Sequence, residues 1–141
     1  VDKRIFFLIV KAEQAVTSYF RQELIKSGLK ITLGQSGVLF LLEKKSPRNM
    51  SELSGELEMD NSAVTRIVDR LEKGGFVKRE LNKNDRREFL VTITDSGMEE
   101  IKGAKSVVKG LNKKMEKNFS SAELDQFRNV LIDMAGIFNT E

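Results

Sequence analysis

Asn61-Ser62-Ala63-Val64-Thr65-Arg66-Ile67-Val68-Asp69-Arg70-Leu71-Glu72-Lys73-Gly74-Gly75 is the stretch on which the fold turns. Val64, Ile67, Val68 and Leu71 recur at helical spacing and form one apolar stripe. Ser62, Thr65, Arg66, Asp69, Arg70 and Lys73 fill the polar remainder. Asp60 is placed to cap the helix, and the two glycines close it. Immediately upstream, Asn49-Met50-Ser51-Glu52 caps a short helix running to about Leu57. Two short helices joined tightly at Glu58-Met59-Asp60 make a helix-turn-helix. Downstream, Phe76–Leu81 and Glu88–Thr94 read as strands around an Asn- and Asp-rich tip at 82–87. A hairpin in that position is a wing.

Working outward, Thr32-Leu33-Gly34-Gln35 matches a capping box, and its helix stops near Lys44-Lys45, before Ser46-Pro47. Towards the N-terminus, Ile5, Ile9, Ala12, Val16, Phe20 and Leu24 are helically spaced, ending at Ser27-Gly28. Phe6, Phe7, Leu8 and Val10 make that helix apolar on more than one face, which implies burial by another chain or by more of the same one. Thr94 caps a long Lys-rich helix from about Ser96 to Lys117. Ser120-Ser121-Ala122-Glu123 opens a last helix carrying Leu124, Phe127, Leu131, Met134 and Phe138. The fold class is mainly α with a small β-hairpin wing, in a single domain spanning 1–141.

Composition narrows the chemistry. The 141 residues are 40% hydrophobic and 32% charged, as in ordinary globular chains. With neither Cys nor His, disulfides, thiol sensing, Cys/His metal sites and His-dependent triads are excluded. No Gly-rich phosphate loop or paired carboxylates stand out, so no enzyme, no cofactor and no metal is expected. The apolar run Ile5–Val10 is too short for a membrane span, and a cytoplasmic protein is expected. The chain opens at Val1 rather than Met, and N-terminal residues are expected to precede it. Net charge is only +3, but residues 61–87 hold eight bases against four acids. Glu52, Glu56, Glu58 and Asp60 make the preceding stretch acidic.

That local charge points to duplex DNA. A second helix of this motif lies in the major groove with its first residues at base edges, here Asn61, Ser62, Thr65 and Arg66. A helix N-terminus also favours phosphate. Arg70 and Lys73 suit backbone contacts. Lys83, Arg86 and Arg87 at the hairpin tip suit a minor groove or phosphates, with Asp85 ordering the turn or holding an Arg. Blander readings stand beside these. Gln35 is explained as a cap, Asp69 as a helical-spacing partner of Arg66, Arg70 or Lys73, and the Lys102–Lys117 lysines as a solvated face. Phe6, Phe7, Phe20 and Phe40 read as core or interface packing before any effector pocket.

Met50-Ser51-Glu52-Leu53, the run from Asn61 through Val77, and Asp85-Arg86-Arg87-Glu88-Phe89-Leu90-Val91-Thr92-Ile93-Thr94-Asp95-Ser96-Gly97 together resemble the MarR family (multiple antibiotic resistance regulators). The last follows that family's wing pattern, Asp-x-Arg, alternating apolar positions, then Thr-x-x-Gly. The resemblance implies a winged helix-turn-helix DNA-binding lobe at 32–97, flanked by N- and C-terminal dimerisation helices at 1–27 and 98–141. It implies a homodimer on a pseudo-palindromic operator, repressing until a small anionic or phenolic effector binds, with no effector residue assigned. DNA contacts would fall on Ser62, Thr65, Arg66, Arg70, Arg86 and Arg87. A different class of function, a winged-helix protein-docking module that has lost DNA binding, is motivated by the acidic first helix of the motif.

Overall fold

Most helices of this chain start where a side chain satisfies their first free N–H groups. The computed structural model, which describes residues 2–139, places α1 at Ile5–Lys26, α2 at Leu33–Lys44, α3 at Met50–Leu57, α4 at Asn61–Lys73, α5 at Asp95–Asn118 and α6 at Ser121–Phe138. At α2, Gln35 N donates to Thr32 Oγ1 (3.3 Å) and Thr32 N to Gln35 Oε1 (3.1 Å), the reciprocal pair expected of a capping box. Ser120 and Glu123 repeat it at α6. Asn49 Oδ1 accepts from Glu52 N at 2.8 Å, and Thr94 Oγ1 from Gly97 N at 3.1 Å. Gly28 and Gly75, at φ +72° and +79°, turn the chain out of α1 and α4.

The described residues form two compact units, divided after Val107. In the first, Val38, Leu39 and Leu42 of α2, Leu53 of α3, Val64, Val68 and Leu71 of α4 and Ile101 and Ala104 of α5 are almost completely buried. Each comes from an apolar stripe already visible in the sequence. Phe20 and Leu24 bury only the C-terminal part of α1, whereas Ile5 through Val10 and Val16 are exposed. Of the four aromatics weighed above, Phe20 is buried, Phe40 half-buried, and Phe6 and Phe7 stack edge-on at 5.3 Å on the surface. In the second unit, α6 buries no residue, and Phe127, Val130, Leu131, Ile137 and Phe138 are exposed. No helix among the described residues is long and apolar enough to cross a membrane.

The sheet has three strands where the sequence predicts two. β1 (Arg48–Asn49), β2 (Val77–Leu81) and β3 (Phe89–Ile93) are antiparallel in the order β1-β3-β2. In β2 and β3, Val77 faces Ile93 and Leu81 faces Phe89, as a hairpin requires. The additional strand is two residues long, too short for any periodicity to announce it. Tertiary bonds fix it. Arg48 Nε donates to Leu41 O (3.1 Å) and Lys45 O (3.0 Å), and Ile93 N donates to Ser46 Oγ (3.1 Å). These lay the segment after α2 along β3.

Between α3 and α4, Glu58 adopts φ 53°, ψ 42°, a left-handed conformation that costs an ordinary L-residue about 1 kcal/mol. Met59 N donates to Ser54 O (3.1 Å) and Glu58 N to Gly55 O (3.3 Å), so the turn needs that conformation. Glu58→Gly is expected to stabilise the fold by about 0.5 kcal/mol, the relieved strain exceeding the added chain entropy. Urea denaturation measures it, and a lower midpoint would contradict the account.

Candidate nucleic-acid interface

The two faces of α4 divide as its sequence divides. Val64, Val68 and Leu71 are buried, while Asn61, Ser62, Arg66, Arg70 and Lys73 are exposed and Thr65 and Asp69 half-buried. Packing the apolar stripe against α2 and α3 leaves the opposite stripe free to face a ligand. Residues 62, 66, 70 and 73 follow one another at three- and four-residue steps along it.

The hydroxyls of that face are already engaged. Ser62 Oγ donates to Asp60 Oδ1 at 2.7 Å, and Thr65 Oγ1 donates to Asn61 O at 2.7 Å. In this arrangement both hydroxyls offer acceptor lone pairs, which suit base amino groups rather than phosphate oxygens. The N-terminus of α4 is also occupied. Asp60 Oδ1 accepts from Ala63 N at 2.7 Å, so the chain's own carboxylate takes the place that the sequence reading left for a phosphate. The exposed cations Arg66, Arg70 and Lys73 are therefore the groups of α4 left to meet anions.

The Ser62 hydroxyl, then the Ala63 N–H, hold the Asp60 carboxyl below its ordinary 3.8, with burial opposing and Arg66 assisting. A depressed carboxylate stabilises the fold fully above its unfolded value, and that stabilisation disappears as pH falls through the lower folded value. Asp60→Asn keeps an acceptor but cannot titrate. The melting-temperature advantage of the wild type over this variant is therefore expected to shrink between neutral pH and roughly pH 2. A constant difference would show that the Asp60 charge plays no part.

Ion pairing sorts the basic residues of 61–87. Arg79 on β2 bridges to Asp69 (2.5 Å) and Glu72 (3.0 Å) of α4, and its backbone N donates to Glu72 Oε2 at 3.1 Å. Asp69 thus takes a partner from the strand, not Arg66, Arg70 or Lys73 at helical spacing. The fold brings β2 back along α4, which lets the one Arg79 guanidinium reach both Asp69 and Glu72. The Arg79 side chain and backbone bonds, against burial, hold the Glu72 carboxyl below its usual range. Arg79 ties β2 to α4, a pairing that sequence reading missed, since nothing in the spacing of residues 69, 72 and 79 marks it.

At the wing, Arg87 Nε and Nη2 reach Asp85 Oδ1 and Oδ2 at 3.1 and 3.4 Å, and Arg87 N donates to Asp85 Oδ1 at 3.1 Å. Asp85 both closes the turn and aims Arg87, whose side chain remains 91% exposed. Lys78 pairs with Glu80 at 3.4 Å. All four acids of 61–87 are consequently spent on Arg79, Lys78 and Arg87. Among the described residues, Arg66, Arg70, Lys73, Lys83 and Arg86 take no ion pair and stand exposed. The local positive charge is thus carried by five unneutralised cations on the exposed stripe of α4 and the wing tip.

A helix-turn-helix whose second helix exposes a polar, cationic stripe and is followed by a β-ribbon with a basic tip defines a winged helix-turn-helix protein. The MarR family model matches residues 31–89, which hold the helix-turn-helix and most of the wing. The chain is 31% identical over 94 residues to the HTH-type transcriptional regulator BilQ of Clostridioides difficile, a match covering 67% of this chain and 64% of that protein. Against the HTH-type transcriptional regulator MgrA of Staphylococcus aureus the identity is 28% over 95 residues, with the same coverage. The chain therefore aligns with somewhat less than two thirds of these relatives. A mutant MarR from E. coli crystallised with operator DNA superposes with a TM-score of 0.83 at 29% identity, covering 92% of each chain.

Proposed function

We propose that this protein is a transcription regulator that binds duplex DNA in a sequence-specific manner as a homodimer. The observation that carries the reading is the set of five unpaired cations on α4 and the wing tip, beside the exposed Asn61 and Ser62 and the half-buried Thr65. Arg66 and Asn61 would meet base edges in the major groove, with Ser62 and Thr65 accepting from base amino groups. Arg70 and Lys73 would hold phosphates, and Lys83, Arg86 and Arg87 would meet the adjoining minor groove or its phosphates, with Asp85 aiming Arg87. The likeness to the E. coli protein crystallised with operator DNA supports this use of the surface.

The exposed apolar residues of α1 and of α6 support self-association, because surface of that kind in a single copy is costly in water. In this reading residues 1–27 and 98–141 supply the dimer contacts and 32–97 the DNA-binding lobe. A dimer presents two copies of α4 to half-sites about 34 Å apart on a pseudo-palindromic operator. Repression would end when a small anionic or phenolic effector favours a dimer geometry that no longer matches that spacing, releasing DNA in proportion to its differential affinity.

Selecting bound duplexes from genomic fragments yields the operator, and light scattering of the free protein gives its oligomeric state. On the selected operator, Arg66→Ala is expected to weaken binding about 5- to 150-fold and to relax preference at one base pair per half-site, the loss of a bidentate base contact. Arg87→Ala should weaken binding with little change in sequence preference. Unchanged binding by both variants would show that the surface is wrongly assigned. Titration with hydroxybenzoates tests effector release. Glu56 and Glu58, without ion-pair partners among the described residues, favour one second reading, a protein-docking module.

A further inference from the structure

β1 brings a residue of the helix-turn-helix against the root of the wing. Asn49 pairs in register with Leu90 of β3, and its side chain meets that of Glu88, the residue just before the strand. Asn49 Nδ2 donates to Glu88 Oε2 at 3.2 Å, and Asn82 Nδ2, from the other side of the hairpin, donates to Glu88 Oε1 at 2.6 Å. Both amide orientations are fixed independently. Asn49 Oδ1 must accept from Glu52 N to cap α3, and Asn82 Oδ1 accepts from Asn84 N at 2.9 Å. Each amide therefore has only its NH2 group left to turn towards Glu88. The wing root is further closed by Asn82 N donating to Glu88 O at 3.0 Å.

We infer that Glu88 is a positioning residue that locks the wing to the N-terminus of α3 and so sets where Lys83, Arg86 and Arg87 meet DNA. Both of its amide bonds are partly buried, so water competes poorly for a carboxylate held between two amide donors. A two-stranded ribbon by itself is marginally ordered, and the tip beyond residue 82 has no other bond to the helix-turn-helix among the described residues. The lock ties the wing to the helix-turn-helix that carries α4. The inference rests on the proposed DNA-binding function for its consequence, but the lock itself is measurable without DNA.

Charge exchange tests it. Asn49→Asp keeps an oxygen to cap α3 and places a carboxylate against Glu88. Glu88→Gln leaves one carbonyl and one NH2, and the latter opposes the NH2 of Asn49. The double variant restores complementarity: the new amide at position 88 would donate to the new carboxylate at position 49 while accepting from Asn82. Each single variant is expected to bind operator about tenfold more weakly, the loss of one charge-assisted hydrogen bond, and to show greater picosecond-to-nanosecond motion of the 83–87 backbone amides by NMR relaxation. The double variant should recover both. Unchanged tip motion in the single variants, or no recovery in the double, would overturn the inference. Should the wild type bind no duplex at all, the proposed function fails, while tip motion and its recovery still decide whether the lock exists.

Discussion

Raising salt from about 50 to about 200 mM is expected to weaken binding to a selected operator roughly 500-fold. Every lysine or arginine that replaces a counterion on a phosphate adds about −0.9 to the slope of log affinity against log salt. Each chain holds five unpaired, exposed cations on α4 and the wing tip, so a dimer offers ten. If only half reach phosphates, the slope is about −4.5, and a fourfold rise in salt removes nearly three decades of affinity. Ion pairs already formed within the protein contribute little, because Lys78, Arg79 and Arg87 exchange one anionic partner for another. Arg70→Ala and Lys83→Ala should each make the slope shallower, by up to about two for a dimer, whereas Arg79→Ala should leave it nearly unchanged. A flat salt response would favour protein docking over DNA binding, and an Arg79 effect equal to that of Arg70 would show that the cations were sorted wrongly. Fluorescence anisotropy on one labelled duplex over a salt series gives every one of these slopes.

Gly97→Ala is expected to cost about 3 kcal/mol of unfolding free energy, at the upper end of the range for overpacking. A Cβ on Gly97 would lie 2.2 Å from the carbonyl oxygen of Phe76 and 2.8 Å from Ile93 Cγ1. The first contact is with backbone, which cannot rotate aside as a side chain would. That same carbonyl accepts from Thr94 N at 3.1 Å, and Thr94 Oγ1 donates to Gly75 O at 2.6 Å while accepting from Gly97 N. One methyl group would therefore separate the end of α4, the start of β2 and the first turn of α5 together. Gly110→Ala is the control on the same helix. Nothing lies within 4 Å of its added Cβ, so it should stabilise by about 0.5–1 kcal/mol through helix propensity alone. Urea unfolding of the two variants should give opposite signs. Wild-type stability in Gly97→Ala would mean that α5 can shift away from Phe76 at little cost.

The Thr-x-x-Gly pattern at Thr94 and Gly97 illustrates how far the chain can be read without coordinates. Its Thr is legible as a cap, because a cap needs only the three residues that follow it. Its Gly is not, because the oxygen that excludes a side chain belongs to Phe76, far away in sequence. The cationic surface divides in the same manner. Arg66 and Arg70 stand on the polar stripe of α4 by spacing alone, and Asp85 and Arg87 are close enough in the chain for their pairing to be anticipated. That Asp69 and Glu72 are held by Arg79 requires β2 to fold back along α4.

The sequence by itself determined the helices and their ends, the apolar stripe of α4 and the hairpin after it, since caps, periodicity and turn residues act within a few positions of the chain. Only the tertiary structure decided which cations remain free, why Gly97 tolerates no Cβ, and that β1 carries Asn49 to Glu88. Those are pairings between segments that each look ordinary alone, and hydrogen bonds or clashes across such separations leave no period in the sequence to read.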